Sequence, residues 1–181
     1  MSNIAIKGAA TGSGTFTLEA PATSTNRTLT LPDEAGTILT TATAGVPIGG
    51  PAFSATMSAN QSITASTFTK VNFNTEEFDT NSNYDTTLYR FKPTVAGYYQ
   101  ISASVYPNTS GTAVICYAYK NGSVYKGAAN SSHSAISTCL VYMNGSADYI
   151  EIYGYITGTS PVINGSSTVS YFQGALIRSA T

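Results

Sequence analysis

From Pro51 onward the chain is punctuated in a way that leaves little room for helices. Apolar runs of strand length near residues 62–73, 87–92, 95–106, 112–120, 135–143, 148–157 and 167–178 are separated by stretches rich in Asn, Gly, Ser and Pro. Runs this short, with turn residues at every gap, point to a sandwich or jelly roll of strands. The clearest run is GYYQISASVY at 97–106. Successive side chains of a strand face opposite ways, so Tyr99, Ile101, Ala103 and Val105 share one face, and Tyr98, Gln100, Ser102, Ser104 and Tyr106 the other. The first face is expected in the core. In YAYKNGSVY, Asn121 and Gly122 stand between two runs; both accept positive φ, which predicts a tight hairpin turn there.

The surface of such a sandwich has to be made polar without many charges. Charged residues are 9% of the chain, against roughly a quarter in ordinary soluble domains, while 27 Thr and 22 Ser supply hydroxyls instead. Thr, Tyr and Val also suit a pleated, half-buried surface, which again favours strands. The net charge of −1 comes with no basic run, so no nucleic-acid partner and no anionic membrane surface is expected. No apolar run approaches the ~20 residues that cross a bilayer. The opening MSNIAIKGAATGSG lacks the apolar centre of a secretory signal, and a product made in the cytoplasm is expected. Cys116 and Cys139 lie in the strand-like runs AVICYAY and STCLVYM and read as reduced core residues.

Residues 1–45 are of a different kind. They are rich in Gly, Ala and Thr, have Phe16 as their one aromatic, and carry short alternating pieces: TFTLEAP, RTLTLP and GTILT. Pieces of about five residues with few large side chains do not bury a core of their own, so an extended, short-stranded arm that needs a partner surface is expected. GVPIGGP at 45–51 has two prolines and three glycines, which interrupt both ladders and helices. The division that follows is an attachment arm over residues 1–50 and a head over residues 51–181.

Six motifs of the head occur in a recognisable order: PAFSA at 51–55, VNFNTEEFDTNSNYD at 71–85, RFKPTVAGYYQISASV at 90–105, KNG at 120–122, LVYMNGSADYIEI at 140–152 and SYFQGALI at 170–177. In this order they resemble the globular head of the complement-one-q family, one of the tumour necrosis factor-like trimeric jelly rolls. The resemblance implies an all-β jelly-roll β-sandwich, a homotrimer, no enzymatic activity and no cofactor. It also implies that Phe53, Phe73, Phe78, Phe91, Tyr99 and Phe172 form the fold core. Gly97 and Gly174 would then stand where a side chain collides with a facing strand or needs a disallowed backbone angle. No collagen-like Gly-X-Y repeat precedes the head, which argues against an immune role. The text GTFTLEAPATSTNRTLTLPDEAGTILT is similar instead to a segment of phage tail-fibre and other virion proteins. That similarity implies a virion protein whose residues 1–50 attach to other virion proteins of the capsid or tail.

Residues that carry chemistry elsewhere do not assemble into a site in the sequence. Asp79, Asn81, Asn83 and Asp85 alternate as at the start of a calcium loop, but the glycine of the sharp turn is Tyr84 and the closing carboxylate is Arg90. A plain loop is expected there, and no metal. Glu76 and Glu77 are adjacent in a strand and face opposite ways. His133 lies in the polar stretch NSSHSAIS without a nearby Cys or carboxylate. No nucleophile elbow surrounds any serine. No catalytic residues are therefore assigned.

The tyrosines are more informative. Tyr117 and Tyr119 share one strand face, as do Tyr149, Tyr153 and Tyr155, opposite Val114, Cys116 and Ala118 or Ile150, Ile152 and Ile156. A sandwich has one core, so a second apolar face implies a second buried surface, and a subunit interface at these five tyrosines is expected. The alternative is a platform of aromatic rings for a host surface glycan. Two functions follow: a homotrimeric capsid decoration or cement protein or short fibre of a bacteriophage virion, and a receptor-binding tail-fibre adhesin.

Overall fold

A computed structural model of the chain describes residues 50–108, 113–131 and 133–180, together with Thr11, Ala22 and residues 24–26. The strand pieces expected within residues 1–45, and the break at GVPIGGP as far as Gly49, lie outside the described residues. The chain divides into two units, Met1–Thr37 and Ile38–Thr181.

Among the described residues of the second unit there are thirteen strands and no helix. They are β1 (Ala52–Thr56), β2 (Gln61–Ser62), β3 (Thr69–Lys70), β4 (Thr75–Asp79), β5 (Tyr84–Asp85), β6 (Arg90–Phe91), β7 (Gly97–Val105), β8 (Val114–Lys120), β9 (Ser123–Asn130), β10 (Ala135–Met143), β11 (Ile150–Ile156), β12 (Val162–Ile163) and β13 (Tyr171–Ser179). One sheet runs β10-β7-β13-β1-β4, the other β5-β6-β11-β8-β9, with β3 also on β11 and β12 paired to β2. Every described pairing is antiparallel. The result is a jelly-roll sandwich.

Alternation decides what each strand buries. In β7, Tyr99, Ile101, Ala103 and Val105 are buried, and Val114, Cys116 and Ala118 of β8 meet Ile150, Ile152 and Ile156 of β11 in the same interior. β8 and β9 join through Asn121 and Gly122, with φ of 51° and 78°, and Lys120 faces Ser123 across the turn. Two positive φ values give a two-residue turn the twist its strands need.

Rings from both sheets fill the centre. Phe53 of β1 stacks on Phe91 of β6 at 4.2 Å and on Tyr84 of β5 at 5.1 Å, and meets Phe172 of β13 edge-on at 4.9 Å. Phe73 and Tyr99 extend the group through Phe172 and Phe91. The hydroxyls of the two tyrosines are satisfied as they are buried: Tyr84 Oη donates to the Phe73 carbonyl and Tyr99 Oη to the Val95 carbonyl. Gly174 lies against this group. A Cβ there would stand 2.6 Å from Ile101 Cδ1 and 2.9 Å from Phe53 Cε1, and at Gly97 it would stand 2.5 Å from the Arg178 carbonyl oxygen.

Phe78 is a correction. It was expected in the core, yet it is 51% exposed. Phe73, at 0% exposure, precedes it by an odd number of residues, and with a period of two an odd spacing turns the second ring to the other side. Phe78 pairs with Ser54, and the neighbours of Ser54, Phe53 and Ala55, are the residues that point inward.

Candidate functional site

Two outward faces differ in what they leave open. On the sheet β5-β6-β11-β8-β9, the register sets Tyr119 beside Glu151, Tyr117 opposite Tyr153 and Ile115 opposite Tyr155. All five tyrosines singled out in the sequence lie on this side, half-buried. Tyr119 and Tyr153 stack at 4.0 Å. Phe68, which the sequence reading did not single out, stacks on Tyr117 at 5.2 Å and leans on Tyr155 at 5.1 Å. Tyr149 stands apart, just before β11, under the Arg90 guanidinium at 4.8 Å. Lys70 and Glu151 form an ion pair on the same face. Burial, with the neighbouring tyrosine charge next, raises the Tyr119 phenol above its ordinary value; burial does the same for Tyr153, aided by Glu151. These rings cover one another.

The other sheet is covered far less. In β10 the burial alternates without a break: Ala135, Ser137, Cys139, Val141 and Met143 point inward, and Ile136, Thr138, Leu140 and Tyr142 point out. Ile136 and Leu140 are 50% and 55% exposed, and Tyr98, opposite Tyr142 on β7, is 50% exposed. Tyr98 and Tyr142 tilt together at 5.5 Å. Beside this face β9 is an open edge of eight residues, seven of them exposed, with Val124 and Tyr125 among them. None of the five tyrosines is among the widely exposed large side chains. The sequence carried a signal for this face too, since STCLVYM alternates two apolar sets just as the runs around Tyr117 and Tyr153 do.

The residues weighed for chemistry serve the loops. Asp79 accepts from the N–H groups of Asn81 and Tyr84, and Asp85 from those of Thr87 and Leu88. Glu77 accepts from Ser54 Oγ, and His133 is exposed. Among the described residues no group of three His, Cys, Asp or Glu side chains is placed to hold a metal ion. Cys116 and Cys139 are free and buried. Burial pushes the Cys116 thiol up to about 12 and raises that of Cys139, the opposite of the lowered pKa a reactive cysteine needs.

One carboxylate is placed with more care. Asp148 accepts from Asn121 Nδ2 and from the Asn144 N–H, and forms an ion pair with Lys120 at 2.9 Å. Burial alone would raise its pKa, but the hydrogen bonds from Asn121, Lys120 and Asn144 and the charge of Lys120 hold it below the ordinary value. Asp148 thereby ties the β8–β9 turn to the loop before β11.

The fold has known counterparts. The chain is similar to the globular domain of zebrafish complement 1qA protein, with 15% identity and a TM-score of 0.54 over 72% of this chain and 99% of that one. It is similar to murine APRIL, with 11% identity and a TM-score of 0.56 over 71% and 99%. It is similar to the Eiger TNF of S. frugiperda, with 10% identity and a TM-score of 0.54 over 73% and 94%. Identities this low speak for the fold alone. No curated protein matches the sequence. The family model of the C1q domain matches residues 52–177, which span all but the outermost parts of the sandwich, and the chain belongs to the C1q-domain family.

Proposed function

We propose that the chain is a non-enzymatic structural protein of a bacteriophage virion, a capsid decoration or cement protein or a short fibre. In this reading three heads assemble through the outward face of β10-β7-β13-β1-β4, and residues 1–50 attach them to other virion proteins. The observation that carries the trimer is the row Ile136, Leu140 and Tyr142 with Tyr98, large apolar side chains left open on one face. Contiguous exposed apolar surface marks an interaction site. A closed threefold arrangement buries identical faces together and also covers the β9 edge, which would otherwise invite open-ended strand pairing. The interface expected at Tyr117, Tyr119, Tyr149, Tyr153 and Tyr155 moves in this proposal to the opposite sheet, because Tyr119 and Tyr153 stack on each other, Tyr117 and Tyr155 pack on Phe68, and Tyr149 lies under Arg90. The virion part rests on the phage-like text of residues 14–40. A chain lacking residues 1–50 should remain trimeric and no longer purify with phage particles; attachment without those residues overturns this part.

A second reading, the adhesin, is favoured by the tyrosine face. Tyr117, Tyr119, Tyr153 and Tyr155 offer apolar rings with polar tips on a sheet face that the proposed trimer leaves free. Tyr153→Ala should then abolish adsorption of phage particles to host cells with the assembly state of the chain unchanged. Unaltered adsorption refutes it.

A further inference from the structure

At the β5-β6 end of the tyrosine-bearing sheet, the loops flanking these two strands line an open groove of about 540 Å³. Its wall holds two cations, Arg90 and Lys92, one carboxylate, Asp85, and hydroxyls from Ser82, Thr86 and Thr94. Arg90 and Lys92 stand two residues apart, on the same side of the chain. Neither takes part in an ion pair among the described residues; the two pairs present there are Lys70 with Glu151 and Lys120 with Asp148. Asp85 and Glu151 are the cross-strand neighbours of Arg90, yet neither forms an ion pair with it: Asp85 Oδ1 accepts from the N–H groups of Thr87 and Leu88, and Glu151 Oε1 pairs with Lys70. The guanidinium lies instead over the Tyr149 ring, and its buried Nε has no acceptor among the described residues.

An arginine oriented by a ring yet short of acceptors, beside an exposed ammonium and a wall of hydroxyls, has the donors of an oxyanion site. We propose that this groove binds the carboxylate of an acidic sugar, with Arg90 and Lys92 sharing its charge and the hydroxyl wall meeting the sugar's own hydroxyls. Asp85 in the same wall favours a singly charged carboxylate over a phosphate dianion, because it repels the second negative charge. The adhesin reading supplies only the biological source of the sugar; the groove adjoins the tyrosine face where Arg90 lies over Tyr149.

Calorimetric titration of the full chain at low salt tests the site with D-glucuronate, D-glucose and inorganic phosphate. Glucuronate should bind, glucose should not, and added salt should weaken binding. Arg90→Gln and Lys92→Gln should each weaken it about tenfold or more, as loss of a charged hydrogen bond does. Lys126→Gln, on β9, should leave it unchanged. Lys92 is exposed, so its variant decides the matter if Arg90→Gln lowers the melting temperature. No heat from glucuronate, equal binding of glucose, tighter binding of phosphate, or full binding by the Lys92 variant overturns the proposal. Lost glucuronate binding by the Lys92 variant supports the site whether or not adsorption to cells is intact, and the adhesin reading stands or falls separately with Tyr153→Ala.

Discussion

Phe53→Ala removes the ring that joins the two sheets. Phe53 is 1% exposed and lies between three aromatic neighbours, Phe91 at 4.2 Å, Tyr84 at 5.1 Å and Phe172 at 4.9 Å. Truncating a buried Phe costs about 3–5 kcal/mol, the transfer of the ring plus the void it leaves. The upper half of that range is expected here. The neighbours are rigid rings held by strands of both sheets, so the void closes little, and each lost ring pair adds about 0.5–1.5 kcal/mol beyond its area. For a head of this size the melting temperature should fall by roughly 10–20 °C. Urea unfolding at fixed protein concentration measures the loss as a lowered midpoint at an unchanged slope. A loss below about 1 kcal/mol would refute the reading of Phe53 as the joint between the sheets.

Three further outcomes follow. Gly174→Ala should cost about 1–3 kcal/mol in the same unfolding measurement, because the added methyl meets Ile101 and Phe53 well inside contact distance. Asp148 has a folded pKa below its ordinary value; its contribution is therefore present above the unfolded carboxylate pKa and is lost as pH falls through the folded one. Urea midpoints should accordingly fall below about pH 4, and Asp148→Asn should flatten that fall. Tyr99 is raised to about 12 by burial, and Tyr84 is raised further by burial, with Asp85 and Tyr89 next. Their contribution is present below the unfolded phenol pKa and is lost as pH rises through the folded one. Ultraviolet titration should show both phenols ionising only as the head unfolds in strong alkali.

Much of the sandwich was legible because period-two alternation is a local property. GYYQISASVY assigns Tyr99, Ile101, Ala103 and Val105 to one face without knowledge of any neighbour, and all four are buried. Asn121-Gly122 specifies its turn because positive φ is also local. Phe78 failed where alternation was carried across a break: between Phe73 and β4 the spacing is odd, and β1 and β4 shift register between Ser54 and Ala55. The faces were harder still. Parity shows that Tyr117 and Tyr119 share a side, but whether that side stays open depends on what lies across it. Phe68 reaches Tyr117 from a separate loop, and Lys70 reaches Glu151 across a long stretch of sequence. The rings of the tyrosine face are thereby half-covered, while Ile136 and Leu140, of the same local pattern, are left 50% and 55% exposed. Arg90 was weighed only as the failed twelfth position of a calcium loop, since its place between Asp85 and Glu151 is set by pairing with two other strands.

The proposed trimer is tested most directly by sedimentation equilibrium of the full chain beside Leu140→Arg. Leu140 is more than half exposed in the single sandwich, so the substitution leaves the core intact and sets a charge in the middle of the proposed subunit contact, where burial without a partner is costly. The full chain should sediment at micromolar concentration near three times its 18.8 kDa. The variant should sediment as a folded monomer. A monomeric full chain, or a variant that remains a trimer of undiminished stability, would contradict assembly through this face.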